Sequence, residues 1–394
     1  MIKTFFIACI CFLTCLTSFS QVRSLSDQAE ISVLSIGPGT SLNDAFGHSA
    51  FRVKDKGLGI DDVYNYGIYD FNTPNFYLKF AQGKLHYLIG RNAYSDFYNS
   101  YVYQNRTIQE QVLNLSPAEK QDIYAYLVHN MQPENRAYLY DFFYDNCATK
   151  IKDVLLVNVD AKVDFNQPEG FQPQSFRTLI QNQLDANTWG SVGIDLALGS
   201  VIDRKATPEE HMFLPKYIYR FFEVATLGPN QQPLVTQDRM VFEKRETETS
   251  NNFLFSPFLV FSLLGLLILW ITYTDYNKQR RTKILDLIIF SITGLLGVLI
   301  LLLWFATDHE ATAQNYNLLW AFALNLLVIG QVFKQTPKAW FIKYIKFLVI
   351  MLCLLSFHWV VGIQVFALAL LPLLLALGIR YVFLVWYYSV KREA

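Results

Sequence analysis

The chain has 394 residues, of which 52% are hydrophobic and 17% charged, with 33 basic and 33 acidic side chains. An average soluble protein carries about 25% charged residues, so part of this chain does not face water. Zero net charge argues against a nucleic-acid partner, and the high hydrophobic share excludes a disordered chain.

In chain order, Met1-Ile2-Lys3 is followed by an apolar run from Phe5 to Leu16, then Ser18-Phe19-Ser20 before Gln21. One basic residue, a short apolar core and small residues before a cut predict a secretory signal peptide over 1–20. The core is short for a bilayer span. Lipidation of Cys15 is disfavoured by the bulky Phe12-Leu13-Thr14 ahead of it. From 21 to 250, mixed charge, turns and helix caps predict an exported α+β domain. From 251 to 394, apolar runs recur near 253–273, 284–305, 317–333, 345–360 and 363–387. Each approaches the ~20 residues that cross a hydrocarbon core, which predicts an all-α bundle of about five transmembrane helices. The fourth run is the weakest, because Lys343 and Lys346 sit at its start.

Loop charge sets the orientation. Lys278, Arg280, Arg281 and Lys283 follow the first run, Lys334, Lys338, Lys343 and Lys346 follow the third, and Lys391 and Arg392 end the chain. The loops around Asp308-His309-Glu310 and Ser356-Phe357-His358 hold no Lys or Arg. The basic loops and the C-terminus are therefore cytoplasmic and the 21–250 domain lies outside, in agreement with the signal peptide. From residue 275 onward the net charge is +6, so the remainder carries −6. An acidic exported domain disfavours anionic polymers as its partner.

Within that domain, Phe46-Gly47-His48 opens a strand after a loop, a junction where catalytic groups gather. A second strand, Val63 to Phe71, returns across Gly57 and Gly59 as a hairpin, with Asp70 alongside His48 and Asn65 further along. Either could orient an imidazole, and the register decides which. His86 lies on an alternating strand. His129 ends a helix opened by the capping box Ser116-Pro117-Ala118-Glu119, and His211 follows a similar start on that helix's polar side. The stretch from Ile194-Asp195 to Asp203-Arg204 reads as a polar loop without a role.

Cysteine usage isolates one thiol. Cys9, Cys11 and Cys15 fall in the signal peptide, and Cys353 reads as a small apolar residue within a span. Cys147 is left alone in the exported domain. It follows a strand-like aromatic run, Tyr138 to Tyr144, and the cap residues Asp145 and Asn146. A helix continues from Ala148 to Leu155. At a helix start, unpaired N–H groups should lower a thiol's pKa. Cys147 is thus the candidate nucleophile and His48 its base, against the alternative of a packing cysteine. Asn146, Asp308 and His309 are candidate substrate contacts, although Asp308-His309 also reads as a solvated turn. Asn315 and Asn317 could satisfy helix ends instead of a substrate. No metal cluster, phosphate-cradling loop or nucleotide motif appears, so no cofactor is expected.

Four pieces together resemble a known family: Phe46-Gly47-His48, Asn65-Tyr66-Gly67-Ile68-Tyr69-Asp70-Phe71, Asn146-Cys147 and Met212-Phe213-Leu214-Pro215. The order His before Cys resembles the permuted papain-like, NlpC/P60-like group. More closely, the pieces look like the Lnb N-terminal periplasmic domain of Bacteroidota. Thr307-Asp308-His309 and Asn315-Tyr316-Asn317-Leu318-Leu319-Trp320 look like that family's transmembrane region. The resemblance implies a lipoprotein N-acyltransferase of the bacterial inner membrane. It would take an acyl chain from a phospholipid, hold it as S-acyl-cysteine, and pass it to the α-amine of a lipoprotein's lipid-modified N-terminal cysteine. His48 and Cys147 match the expected pair. The third residue departs from the relatives that place a second His on the next strand, since here Asn65 or Asp70 stands there. A membrane-anchored cysteine peptidase or amidase acting on peptidoglycan or protein is the competing enzyme, which a wide polar cleft would favour. A non-enzymatic membrane-anchored binding module is the third reading.

Overall fold

The computed structural model describes residues 22–246 and 253–393; the predicted signal peptide lies outside them. Its elements are β1 (Glu30–Ile36), β2 (His48–Asp55), β3 (Ile60–Ile68), α1 (Phe76–Ala81), β4 (His86–Ala93), α2 (Tyr94–Tyr103), β5 (Ile108–Leu113), α3 (Pro117–Asn130), β6 (Ala137–Leu139) and α4 (Cys147–Asn158). Then come β7 (Val163–Asp164), α5 (Phe176–Gln181), α6 (Trp189–Ala197), α7 (Pro215–Val224), β8 (Thr226–Leu227), β9 (Gln232–Pro233) and β10 (Val235–Phe242). Seven strands form an antiparallel sheet in the order β10-β5-β1-β2-β3-β4-β6, and β7, β8 and β9 form a small second one.

Side chains alternate across the strands, so the large sheet has two apolar faces. Val33, Phe51, Tyr64 and Tyr66 face one way, onto Ile123 and Leu127 of α3, Ile151 and Leu155 of α4, and Ile218 and Phe221 of α7. Leu34, Ala50 and Val63 face the other way, onto Phe97 of α2. Ile151 is fully buried, so truncating it to Ala should cost about 2–5 kcal/mol. The β2–β3 register is pinned by Arg52, which reaches Asp61 at 2.7 Å and Glu110 at 3.1 Å. A one-residue slip would break that pair and turn every side chain over.

Two local expectations shorten. The second strand ends at Ile68 instead of Phe71. The aromatic run is a strand only to Leu139, because the Asp141 carboxylate accepts the N–H groups of Phe143 and Tyr144 at 2.7 and 2.8 Å and folds the chain into a turn.

Among the described residues, the C-terminal part holds four helices long and apolar enough to cross a membrane: α8 (Pro257–Asn277), α9 (Lys283–Phe305), α11 (Ala339–Val361) and α12 (Leu371–Glu393). The predicted third run is not one of them. It breaks into turns at Tyr316–Leu319 and Ala323–Leu326 and a single helical turn, α10 (Ile329–Val332). Asparagine side chains compete with the helical ladder there. Asn315 Oδ1 accepts from Asn317 N at 3.0 Å, and Asn325 bridges Thr293 at 2.8 Å and Tyr344 at 2.6 Å. Irregular backbone is tolerated at membrane depth only when buried in protein, and Trp320, Ala321 and Asn325 are buried. Gly297 of α9 makes the close approach possible, since a Cβ there would collide with the backbone of Ala321 and Ala323. The segment still runs the length of α9: its far end gives the Val332 and Lys334 carbonyls to Arg281 at 2.8 and 3.2 Å. At that same basic end Arg380, fully buried, binds Asp286 at 2.7 Å and Asp275 at 2.9 Å. Charges inside a bundle face its interior and pair in this way.

The two parts meet at α6, whose Val192 packs in the core of the helical part. Asn315 Nδ2 donates to the Leu196 and Ala197 carbonyls at 2.8 and 3.1 Å, and Asn317 Nδ2 donates to the Asp195 carbonyl at 3.0 Å. Behind them Arg177 binds Asp195 at 3.0 Å, Asp203 at 2.8 Å and the Leu198 and Gly199 carbonyls at 3.1 and 2.9 Å. The stretch 194–204 is therefore the joint between the domains and not a roleless loop.

Candidate active site

Cys147 is the first residue of α4. Asn146 caps the helix, its Oδ1 accepting from Ala148 N at 2.7 Å and Thr149 N at 3.0 Å, while Thr149 Oγ1 accepts from Asn146 N at 2.8 Å. Such a reciprocal box fixes the first turn. Its Nδ2 donates to the carbonyls of Phe142 at 2.7 Å and Phe213 at 2.9 Å. Every polar group of that side chain is thereby occupied. Asn146 borders the cleft as a clamp on the cysteine loop, not as the free substrate contact expected from sequence.

The thiol receives the backbone N–H groups of Ser49, Cys147 and Ala148. The Ser49 amide sits at the start of β2, which brings the His48–Ser49 segment against the sulfur. Beside Cys147 lies Gly67, with φ +95°, where an added Cβ would stand 3.6 Å from Cys147 Cβ. Carrying the β2–β3 register past Phe51↔Tyr64 puts Gly67 opposite His48. A side chain there would be strained by the positive φ, while its Cβ would make only ordinary contact with Cys147.

That register also separates the two candidates for the third residue. Asn65 is buried on the same sheet face as His48 and hydrogen-bonds its ring, and Asn65 Nδ2 donates to Asn92 Oδ1 at 3.1 Å. Asp70 lies beyond the strand, exposed, and caps its own turn by accepting from Asn72 N at 2.9 Å. The strand ends too early for Asp70 to reach His48.

Electrostatics correct another expectation. The amides do pull the Cys147 thiol pKa down, but burial outweighs them and pushes it up to about 11. Burial, with the nearby Arg106 cation, brings His48 down to about 4. Both keep only partial exposure toward the cleft. The resting pair is thus a neutral thiol and a neutral imidazole, not an ion pair. The His48 ring stacks on Tyr101 with centroids 6.3 Å apart, and the Arg106 guanidinium lies 4.8 Å over the same Tyr101 ring. Arg106 is buried, donates Nε to the Gly37 carbonyl at 2.9 Å, and leaves Nη2 without a partner. Neither Arg106 nor Asn92 was marked by the sequence.

The cleft around the pair encloses about 320 Å³, at the lower end of the range for small-molecule sites. Ten of its eighteen lining residues are Phe or Tyr, and none is Asp, Glu, Lys or Arg. Tyr87 and Tyr140 stack at 4.1 Å, and Tyr69 packs edge to face on Tyr87 at 5.5 Å and on Phe71 at 5.0 Å, with Phe76 tilted against Tyr69 and Phe71 at 5.9 and 4.9 Å.

The remaining candidates lie elsewhere. His211 is fully buried instead of facing solvent: its Nε2 accepts from Gln174 N at 3.1 Å and its Nδ1 donates to the Thr207 carbonyl at 2.7 Å. His86 and His129 are exposed and line no part of the cleft. Asp308 N donates to the Gln82 carbonyl at 2.8 Å, and His309 Nε2 donates to the Phe80 carbonyl at 3.0 Å. This loop braces α1, which forms a wall of the cleft, and does not itself line it.

A cysteine at a helix start, an imidazole on a strand and an adjoining bundle of long apolar helices define a membrane-anchored protein with a candidate site in its N-terminal domain. Two family models match in sequence order, the Lnb N-terminal periplasmic domain over residues 19–182 and the Lnb transmembrane domain over residues 248–392. The chain belongs to the Lnb family: it is membrane-anchored and its N-terminal domain is periplasmic. No curated protein and no solved structure matches it.

Proposed function

We propose that the protein is a lipoprotein N-acyltransferase of the inner membrane, with residues 1–20 as signal peptide, 21–250 as a permuted papain-like catalytic domain and 251–394 as its membrane anchor. His48 takes the Cys147 proton as the sulfur attacks an ester carbonyl of a phospholipid. The carbon–oxygen bond breaks, His48 returns the proton to the leaving lysophospholipid oxygen, and an S-acyl-cysteine remains. The α-amine of a lipid-modified lipoprotein then attacks the thioester, the carbon–sulfur bond breaks, and His48 passes the amine's proton back to the sulfur. Amides at Ser49 and Cys147 suit an oxyanion hole. Asn65 orients His48, and Asn92 holds Asn65.

The observation that carries this function over a peptidase is the cleft: aromatic, small and without charged side chains. A peptide or glycan substrate would leave backbone and hydroxyl groups unpaired there. A neutral resting pair fits the same surroundings, since it asks no apolar wall to solvate an ion. The test is a full-chain reaction with acyl-labelled phospholipid and a diacylated lipopeptide. One labelled chain should reach the lipopeptide amine for each lysophospholipid released. Label released only as free fatty acid, or cleavage of the peptide, would overturn the assignment.

A further inference from the structure

The wall of the cleft formed by α1 buries none of its residues. Phe71, Tyr77, Leu78 and Phe80 are 64, 79, 58 and 54% exposed, a concentration of apolar surface that a soluble domain rarely leaves open. The only charge on α1 is Lys79, beside its C-terminal turn. Phe71, Tyr77 and Phe80 also line the cleft that holds Cys147, whereas Leu78 does not.

This patch is tied to the end of a membrane span. The Asp308-His309 loop that binds the Gln82 and Phe80 carbonyls follows directly on α9, whose last residues Trp304 and Phe305 stack at 4.7 Å. Phe305 is 70% exposed. Aromatic residues at a span's end mark the bilayer interface. An amphipathic turn fixed at that level, with a lysine able to snorkel to anionic headgroups, has the composition of an interfacial element.

We propose that α1 and the Tyr69–Phe76 turn before it form a lip immersed in the outer leaflet, over which a lipid acyl chain passes from the bilayer into the cleft of Cys147. The occupant is the bilayer itself, because the patch continues the apolar surface of α9 at its periplasmic end. The lip rests on the acyltransferase function for its purpose but not for its immersion.

The immersion is tested with a photoreactive p-benzoylphenylalanine at Leu78, in the full chain reconstituted in phosphatidylethanolamine–phosphatidylglycerol nanodiscs. Irradiation should yield a phospholipid adduct at position 78. The same residue at Val157, exposed but ten residues along α4 from Cys147 and about 15 Å up its axis, should yield at most a trace. No adduct at 78, or equal adducts at both, overturns the lip. A kinetic arm uses Leu78→Asp, which should raise KM for vesicle phospholipid about tenfold or more with little change in kcat; an unchanged KM also overturns the proposal. If the adduct forms but the unsubstituted protein is never acylated at Cys147 by a short p-nitrophenyl ester, the acyltransferase function fails and the lip stands.

Discussion

The cleft around Cys147 and the joint around Arg177 treat buried polar groups in opposite ways. At the joint, Arg177 meets two carboxylates and two carbonyls, and Asn315 and Asn317 meet three more carbonyls. At the cleft, a thiol and an imidazole are buried in their neutral forms, and the nearby Arg106 keeps one nitrogen unpaired. Apart from Asp203 Oδ2, which has no partner, the joint pairs its charges, and such networks rigidify, whereas groups buried neutral in a cleft retain charges that can change. The contrast assigns stability to the joint and chemistry to the cleft. Substitutions at the two places should therefore fail differently.

The largest effect is expected at the nucleophile. Cys147→Ala should lower acyl transfer by at least about a thousandfold, measured as turnover in lipid, with little change in melting temperature. His48→Gln should cost about a hundred- to ten-thousandfold in the acylation step. The pH dependence gives the sign. His48 protonates only as pH falls toward about 4, so acylation should stay level from about pH 5.5 to 9 and decline below that range. Alkylation of Cys147 by iodoacetamide should keep rising with pH toward about 11. A plateau already reached at neutral pH would mean a thiolate–imidazolium pair. Because folding depresses the His48 pKa, its contribution to stability is fully present above about 6.5 and is lost as pH falls toward about 4.

The joint should respond in stability. Arg177→Met strands Asp195 and Asp203 as buried carboxylates, which should cost about 3–5 kcal/mol in thermal or denaturant unfolding. The folded fraction should acylate from a soluble ester at its normal rate; a catalytic loss without a stability loss would collapse the contrast. The smallest effect belongs to Asn65→Ala, which removes the bond that raises the His48 pKa. Acylation should fall about tenfold, roughly 1.4 kcal/mol, and the acid limb should move to still lower pH.

What the sequence revealed was local. The capping of α4 by Asn146, the hairpin carrying His48 and the capping box at Ser116 depend on residues within a few positions of one another, and all are present. What it missed depends on separation or burial. Choosing Asn65 over Asp70 needed a register, and one early strand end removed Asp70. Arg106 reaches the site from 58 residues beyond His48, and no spacing announces it. The direction of the Cys147 shift reversed because the amides of Cys147 and Ala148 are visible in a helix-start pattern while the surrounding aromatic wall is not. The third apolar run satisfied a hydropathy count, yet Asn315, Asn317 and Asn325 broke its helix by bonding to its own backbone and to neighbouring helices.

The central claim is that Cys147 carries the acyl group. Intact-mass analysis of the full chain, incubated with phospholipid and no amine acceptor, tests it most directly. One fatty-acyl mass should appear, map to the peptide containing Cys147, leave on neutral hydroxylamine and be absent from Cys147→Ala. No adduct, or an adduct of equal yield in Cys147→Ala, would contradict the account.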